Sequence, residues 1–157
     1  MATVLFRKCD LNDSQDCQSL HILFEQYMLD PMGDADTLEI NQQEKLIEEL
    51  AKRPYASIFF ILLDNKIAGF STLFELFSTF KVMPYLYIHD FVIDKSCRGK
   101  GLGKIFMEFI VNLAKEKGCC KIALEVREDN AAAKLIYAKA GFVECEPSMH
   151  FWTKKLD

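Results

Sequence analysis

The chain has 157 residues, 50% hydrophobic and 27% charged, with a net charge of -4; this suffices for one well-filled core and is short for two. Abundant Leu, Ile, Val and Phe exclude disorder, and no stretch approaches the ~20 apolar residues that cross a bilayer. Six cysteines without a CxxC pair or paired His spacing point to neither a zinc site nor a disulfide framework, so no metal is expected.

A single domain over 1–157 is expected, cytoplasmic and soluble, with reduced thiols. From Cys9 to Glu44 there is no Lys or Arg but nine carboxylates, whereas Lys95, Arg98, Lys100 and Lys104 gather after Asp94. This asymmetry excludes a continuous basic face and with it a general nucleic-acid binder.

In chain order, "TVLFR" reads as an opening strand, with Asn12, Asp13 and Ser14 as caps for a helix. Its Leu20, Leu23, Phe24, Tyr27 and Met28 recur at helical spacing, and "LDPMGDAD" breaks it. A second helix is expected from near Asn41, with Glu44 closing a capping box and Pro54 ending the run.

"SIFFILLD" and "IAGFSTLFEL" read as strands about a tight turn, in which Asp64 and Asn65 tolerate left-handed backbone. "YLYIHDFVI" is a third long strand, apolar on both faces and therefore central. After "CRGKGLG", Leu102, Ile105, Phe106, Phe109, Ile110 and Leu113 form a helical face up to Gly118. "KIALEV" is another strand, begun by Cys119 and Cys120; Asn130 caps a last helix, and "HFWTKKL" closes the chain as a strand, with one more short strand near Phe142.

The glycine loop ahead of a helix suits an anion, because unpaired N–H groups and the positive end of the helix dipole point into it. A Walker loop is excluded, since Arg98 stands where its first Gly belongs and Ile105 where Ser or Thr belongs. The dinucleotide fingerprint fails too: Gly99 and Gly101 lead to Lys104, and Gly101 and Gly103 to Phe106.

Arg98-x-x-Gly101-x-Gly103 resembles the Arg/Gln-x-x-Gly-x-Gly/Ala signature of the GNAT acetyltransferase superfamily. Asn130, Ala133, Tyr137, Gly141 and Phe142 reproduce its second signature, N-x-x-A-x-x-x-Y-x-x-x-G-F. The resemblance implies an α/β fold: a mixed central sheet of six to seven strands with a splayed central pair, flanked by about four helices. It implies acetyl-coenzyme A as cosubstrate, its pyrophosphate on Arg98, Gly99, Lys100, Gly101, Leu102, Gly103 and Lys104. Phe91, Val92 and Ile93 would pair with the pantetheine arm, and Asn130, Ala133 and Tyr137 would lie along the cofactor. Homodimers occur in such proteins.

Within the superfamily, "GFSTLFELFSTF" followed by "YLYIHDFVI" looks most like the spermidine/spermine-type small-amine acetyltransferases, which carry Glu-Asp where this chain has His89-Asp90.

Acetyl transfer to an amine needs a base, because free alkyl amines have a pKa near ~10.4. His89 titrates near working pH and is the first candidate. Successive strand residues face opposite ways, so His89 and Asp90 share a face only if the strand bulges. Asp90 or a water remains an alternative base. By resemblance, Tyr137 protonates the leaving thiolate, attack is direct in a ternary complex, and Cys97 is structural. Tyr27, Asp30 and Asp34, at the end of the first helix and in the acidic loop, are candidates for holding a cationic acceptor. The expected activity is N-acetylation of a small cationic, polyamine-like amine. Alternatives are a protein N-terminal or lysine acetyltransferase, and a coenzyme A-binding regulatory module without turnover.

Overall fold

The computed structural model describes residues 2–33 and 36–156. Five strands form one sheet in the order β1-β2-β3-β4-β5: Val4–Lys8, Ala56–Leu63, Lys66–Ser78, Met83–Ile93 and Ile122–Leu124. The first four are antiparallel neighbours and β5 lies parallel to β4. Asp64 (φ 49) and Asn65 (φ 63) take the left-handed turn between β2 and β3, closing the register at Leu63 opposite Lys66.

Among the described residues four helices flank the sheet: α1 (Ser14–Met28), α2 (Ile40–Ala51), α3 (Leu102–Glu116) and α4 (Ala131–Lys139). Asp13 caps α1 by accepting from Asp16 N–H. The second helix begins earlier than expected: Glu39 and Gln42, not Asn41 and Glu44, form its capping box, with Glu39 N–H donating to Gln42 Oε1 at 3.0 Å. Both spacings fit the sequence rule, and Ile40 extends the helix one residue beyond the expected start.

Two cores lie on opposite faces of the sheet. Ile61, Leu73, Leu86 and Ile88 pack with Phe106, Met107 and Ile110 of α3; Phe60, Phe70 and Val92 pack with Leu20, Leu23 and Phe24 of α1. Phe60, Phe70 and Phe106 are wholly buried, each contributing about 1.5–3 kcal/mol through lost water contact.

The expected strand count of six to seven is corrected to five among the described residues. Neither "HFWTKKL" nor the segment near Phe142 is a strand, and Cys119 and Cys120 precede β5 rather than begin it. A strand exists only where a neighbour takes its backbone bonds, and local propensity cannot supply that neighbour. Likewise "YLYIHDFVI" is interior, between β3 and β5, while the middle position falls to β3.

Candidate active site

Strand β4 carries one residue more than its partner here. Thr72 lies opposite Asp90 and Leu73 opposite Ile88, so His89 is left over as a bulge. The extra residue inverts the alternation. Before it, Leu86 and Ile88 face α3; after it, Phe91 and Ile93 face α3 and Val92 faces α1.

The bulge therefore meets the condition stated for His89 and Asp90. The His89 ring packs edge-on to Phe74 (5.2 Å between centroids) and to Tyr87 (6.3 Å), and its Nδ1 lies 3.3 Å from Asp90 Oδ1. His89 is open to solvent, its side chain 55% exposed, while that of Asp90 is 10% exposed. The hydrogen bond to Asp90 raises the His89 pKa above the ordinary imidazole value; burial opposes the rise, and the charges of Asp90 and Glu125 add to it.

Beyond Ile88 and Leu124 the two parallel strands part, because β5 ends while β4 runs on to Ile93. The sheet splays there, and the outer edge of β4 has no strand beside it among the described residues. Tyr137 comes to this opening from α4, packed against Phe91 and Phe142. Burial pushes its phenol up to about 12, and Tyr27 adds to the rise. Tyr27 approaches from α1, its own pKa raised by burial and then by Asp90 and Asp30. Tyr27, Asp90 and Tyr137 thus share one electrostatic neighbourhood at the splay.

Asn130 Oδ1 accepts from Ala133 N–H at 3.1 Å, so these two residues cap α4, which carries Tyr137. The phenol's position follows from that cap and from its aromatic neighbours.

The loop after β4 passes through one 3-10 turn at Lys95–Cys97 and then Gly99 (φ 76) and Gly101 (φ 78), the second at the N-cap of α3. Only glycine adopts such angles without cost, and no atom lies within 4 Å of where a side chain would start at either. The N–H groups of Leu102, Gly103 and Lys104 open the helix toward that space, since the first helical bond is made by Ile105 N–H to Gly101. Bare backbone, open space, the dipole and the exposed Lys100 and Lys104 fit a pyrophosphate. Gly103 differs: a Cβ there would meet Ile136 Cδ1 at 2.9 Å, so its smallness serves the packing of α4 on α3. Leu102 is buried, and Cys97 packs against the α3 core.

Arg98 turns away from the open cradle. Its Nε donates to the Ile93 carbonyl at 3.2 Å and its Nη1 meets Asp30 Oδ2 at 2.9 Å. Gln26 holds the same loop from α1, accepting from Lys95 N–H at 2.8 Å. Asp30, expected to face the acceptor, is bonded to the loop, its carboxyl held low by Met32 N–H and by Arg98 against burial. Asp34 lies outside the described residues.

Sequence reasoning missed Phe74, Tyr87, Glu125 and Thr72. The Tyr87 hydroxyl donates to Glu125 Oε1, placing an acid and two rings around His89. Thr72, opposite Asp90, has a buried hydroxyl with no hydrogen-bond partner. Tyr87 was visible as the residue two before His89, but only the cross-strand register brings the others in. Among the described residues no group of three or more His, Cys, Asp or Glu could hold a metal ion.

The bulged strand, the splay and the glycine cradle are accompanied by a sequence match: residues 19–142 match the Acetyltransferase (GNAT) family. The chain belongs to that family. It is 40% identical over 55 residues to a glucosamine 6-phosphate N-acetyltransferase of Arabidopsis thaliana, covering 35% of each chain. It is 33% identical over 82 residues to streptothricin acetyltransferase of Streptomyces lavendulae, over 52% of this chain and 41% of that one. These matches span less than half of those curated relatives' length. Among solved structures, an aminoglycoside acetyltransferase from an uncultured soil metagenomic sample, in complex with sisomicin, superposes with a TM-score of 0.78. It is 22% identical, over 98% of this chain and 97% of that one, which shows the shared fold.

Proposed function

We propose that the chain is an acetyl-coenzyme A-dependent N-acetyltransferase acting on a primary amine, and specifically on a small cationic one. The observation that carries this reading is the bulge, which sets His89, Asp90, Phe74 and Tyr87 together beside a splay that Tyr137 closes from the other side.

When bound, the coenzyme supplies a thioester-activated acetyl group. The loop residues Gly99 to Lys104 would hold its pyrophosphate, and the outer edge of β4 from Phe91 to Ile93 would hold its pantetheine arm. Phe74 and Tyr87 present ring faces to the acceptor cation, with Asp90 and Glu125 adding negative charge. His89 Nε2 takes the proton from the ammonium, and Asp90 at Nδ1 stabilises the imidazolium that results. Tyr137 keeps its proton at neutral pH, since burial holds its pKa near 12; that proton would be available to the coenzyme's leaving sulfur.

The cationic preference rests on Asp90, Glu125 and the rings more than on the acidic loop, because Asp30 is already paired with Arg98. Among the curated relatives, streptothricin acetyltransferase is named for a small-molecule acceptor. A polyamine-like acceptor is the narrowest form of the proposal.

Thiol release measured across polyamines, aminoglycosides, amino sugars, amino acids and peptides tests it. Turnover is expected with a small cationic amine and a substantial fall in kcat in Tyr137→Phe, with coenzyme affinity kept. Turnover on peptides alone would make the chain a protein acetyltransferase. No release with any amine, together with coenzyme binding, would make it a binding module.

A further inference from the structure

Ser71 is wholly buried in β3, opposite Phe91 and one residue from the point where the register shifts. Its Oγ donates to the Asp90 carbonyl at 2.8 Å, a bond buried at both ends. A buried hydroxyl left without a partner is costly, so this bond favours the backbone arrangement that provides its acceptor.

The ladder shows what that arrangement is. Asp94 N–H donates to the Ala68 carbonyl at 2.9 Å, which makes these two residues a bonded pair. In an antiparallel ladder bonded and non-bonded pairs alternate. Along the register, Phe70 with Val92 and Thr72 with Asp90 are therefore bonded pairs, while Gly69 with Ile93 and Ser71 with Phe91 are not. The Asp90 carbonyl points to β3. The Phe91 N–H belongs to the same trans peptide and points the opposite way, across the open outer edge of β4.

Strand pairing alone does not decide this. A bulge leaves one residue over, and the pairs on either side are equally complete if that residue is Asp90 and His89 lies opposite Thr72. In that register His89 takes the buried place now held by Asp90, and Ser71 loses its acceptor. We infer that Ser71 is a positioning residue for acetyl transfer: its hydroxyl holds the Asp90 carbonyl on β3 and so fixes the bulge at His89, with the Asp90 carboxylate against Nδ1 and the Phe91 N–H directed into the splay. The bond also draws electron density from the carbonyl, which makes the N–H at the other end of the peptide a stronger donor. Ser71 acts only through β4, and the inference rests on the reading of His89 and Asp90 as the proton-accepting pair.

The His89 imidazole reports on the bulge with neither coenzyme nor acceptor present. Its neighbours are Asp90 and Tyr87 on β4, Phe74 on β3 and Glu125 after β5, and Tyr27 of α1 faces Asp90. Asp90 is the main influence that raises its pKa, so a bulge that slips should lower it. In the coenzyme-free full chain, His89 titrated by NMR should show a lower pKa in Ser71→Ala, closer to the ordinary imidazole value. The rising limb of kcat/KM should move to lower pH with it. kcat should fall about 10- to 100-fold, while coenzyme A affinity by calorimetry stays within about twofold of wild type. Ile110→Val, in the core under α3, is the control for stability: it should lower the Tm and leave the His89 titration unchanged. If Ser71→Ala does not fold, Ser71→Cys, whose thiol is only a weak donor, should give the same displacement. A Ser71→Ala protein that loses stability while His89 titrates as in the wild type would make Ser71 a structural residue and overturn the inference. Absence of amine turnover in the wild type would overturn the reading beneath it, and with it the catalytic importance of Ser71; the titration separates that failure from a misplaced bulge.

Discussion

His89 is exposed where a core histidine would be hidden, and its partner Asp90 is hidden where a surface carboxylate would be exposed. That inversion gives a pH signature. A general base must be deprotonated to act, so kcat/KM should rise with pH through the His89 pKa, which Asp90 sets above the ordinary imidazole value. Asp90→Asn removes the largest upward influence, so the rising limb should move to lower pH while the maximal rate falls. His89→Gln should abolish that limb and cost ~10² to 10⁴-fold in rate, with coenzyme affinity preserved. If the limb sits near ~10.4 and ignores Asp90→Asn, it belongs to the acceptor amine, and His89 is not the base. The pair was legible in the sequence as two adjacent polar residues in an apolar strand. Its shared face was not, because a bulge is defined by the partner strand, and nothing in "YLYIHDFVI" states that Leu73 lies opposite Ile88.

The elements show the same division between local and non-local information. The Asp64-Asn65 turn, the Asp13 and Asn130 caps and the α3 stripe were all readable, since each depends on residues within a few positions of one another. The start of α2, with two spacings that fit one rule, and the fate of "HFWTKKL", which needs a neighbour, were not. The glycine loop lies between these cases. Its backbone was legible, but the contribution of each glycine was not: Gly101 gives conformation and open space, whereas Gly103 gives packing room against Ile136. Gly118, the residue after the Lys117 C-cap of α3, provides a control, having φ 68 and likewise nothing within 4 Å of its missing side chain. Gly101→Ala and Gly118→Ala should each destabilise the fold by about 1–2 kcal/mol, the cost of left-handed backbone for an L-residue. Only Gly101→Ala should also weaken coenzyme A binding, by calorimetry. Equal affinities in the two variants would remove the loop from the binding site.

Across the whole molecule, charge organises the contact between halves of the chain. The acidic N-terminal third does not stand apart as a solvated face: α1 and its C-terminal turn reach the basic loop through Asp30 to Arg98 and Gln26 to Lys95, and its first turn reaches β1 through Asp16. Asp16 is 5% exposed and takes two bonds from Arg7, at 2.6 and 2.7 Å, and one from Asp10 N–H. This bidentate pair fastens the edge strand β1 to α1 on the sheet face where Arg7 also lies over the Phe60 ring at 5.3 Å. Arg7 lowers the Asp16 pKa and burial only partly opposes it. With its folded-state pKa below the unfolded value near ~3.9, Asp16 contributes stability that is fully present above that value and is lost as pH falls through the lower, folded-state one. Arg7→Ala should therefore cost about 1.5–3 kcal/mol at neutral pH, the range for hydrogen bonds to a charged group. The deficit relative to wild type in urea unfolding should stay constant between about pH 5 and 8 and shrink on acidification below ~4 as Asp16 protonates. A deficit unchanged in acid would assign the Arg7 contribution to its packing on Phe60 instead of to the ion pair, because stacking of an always-charged guanidinium on a neutral ring does not titrate.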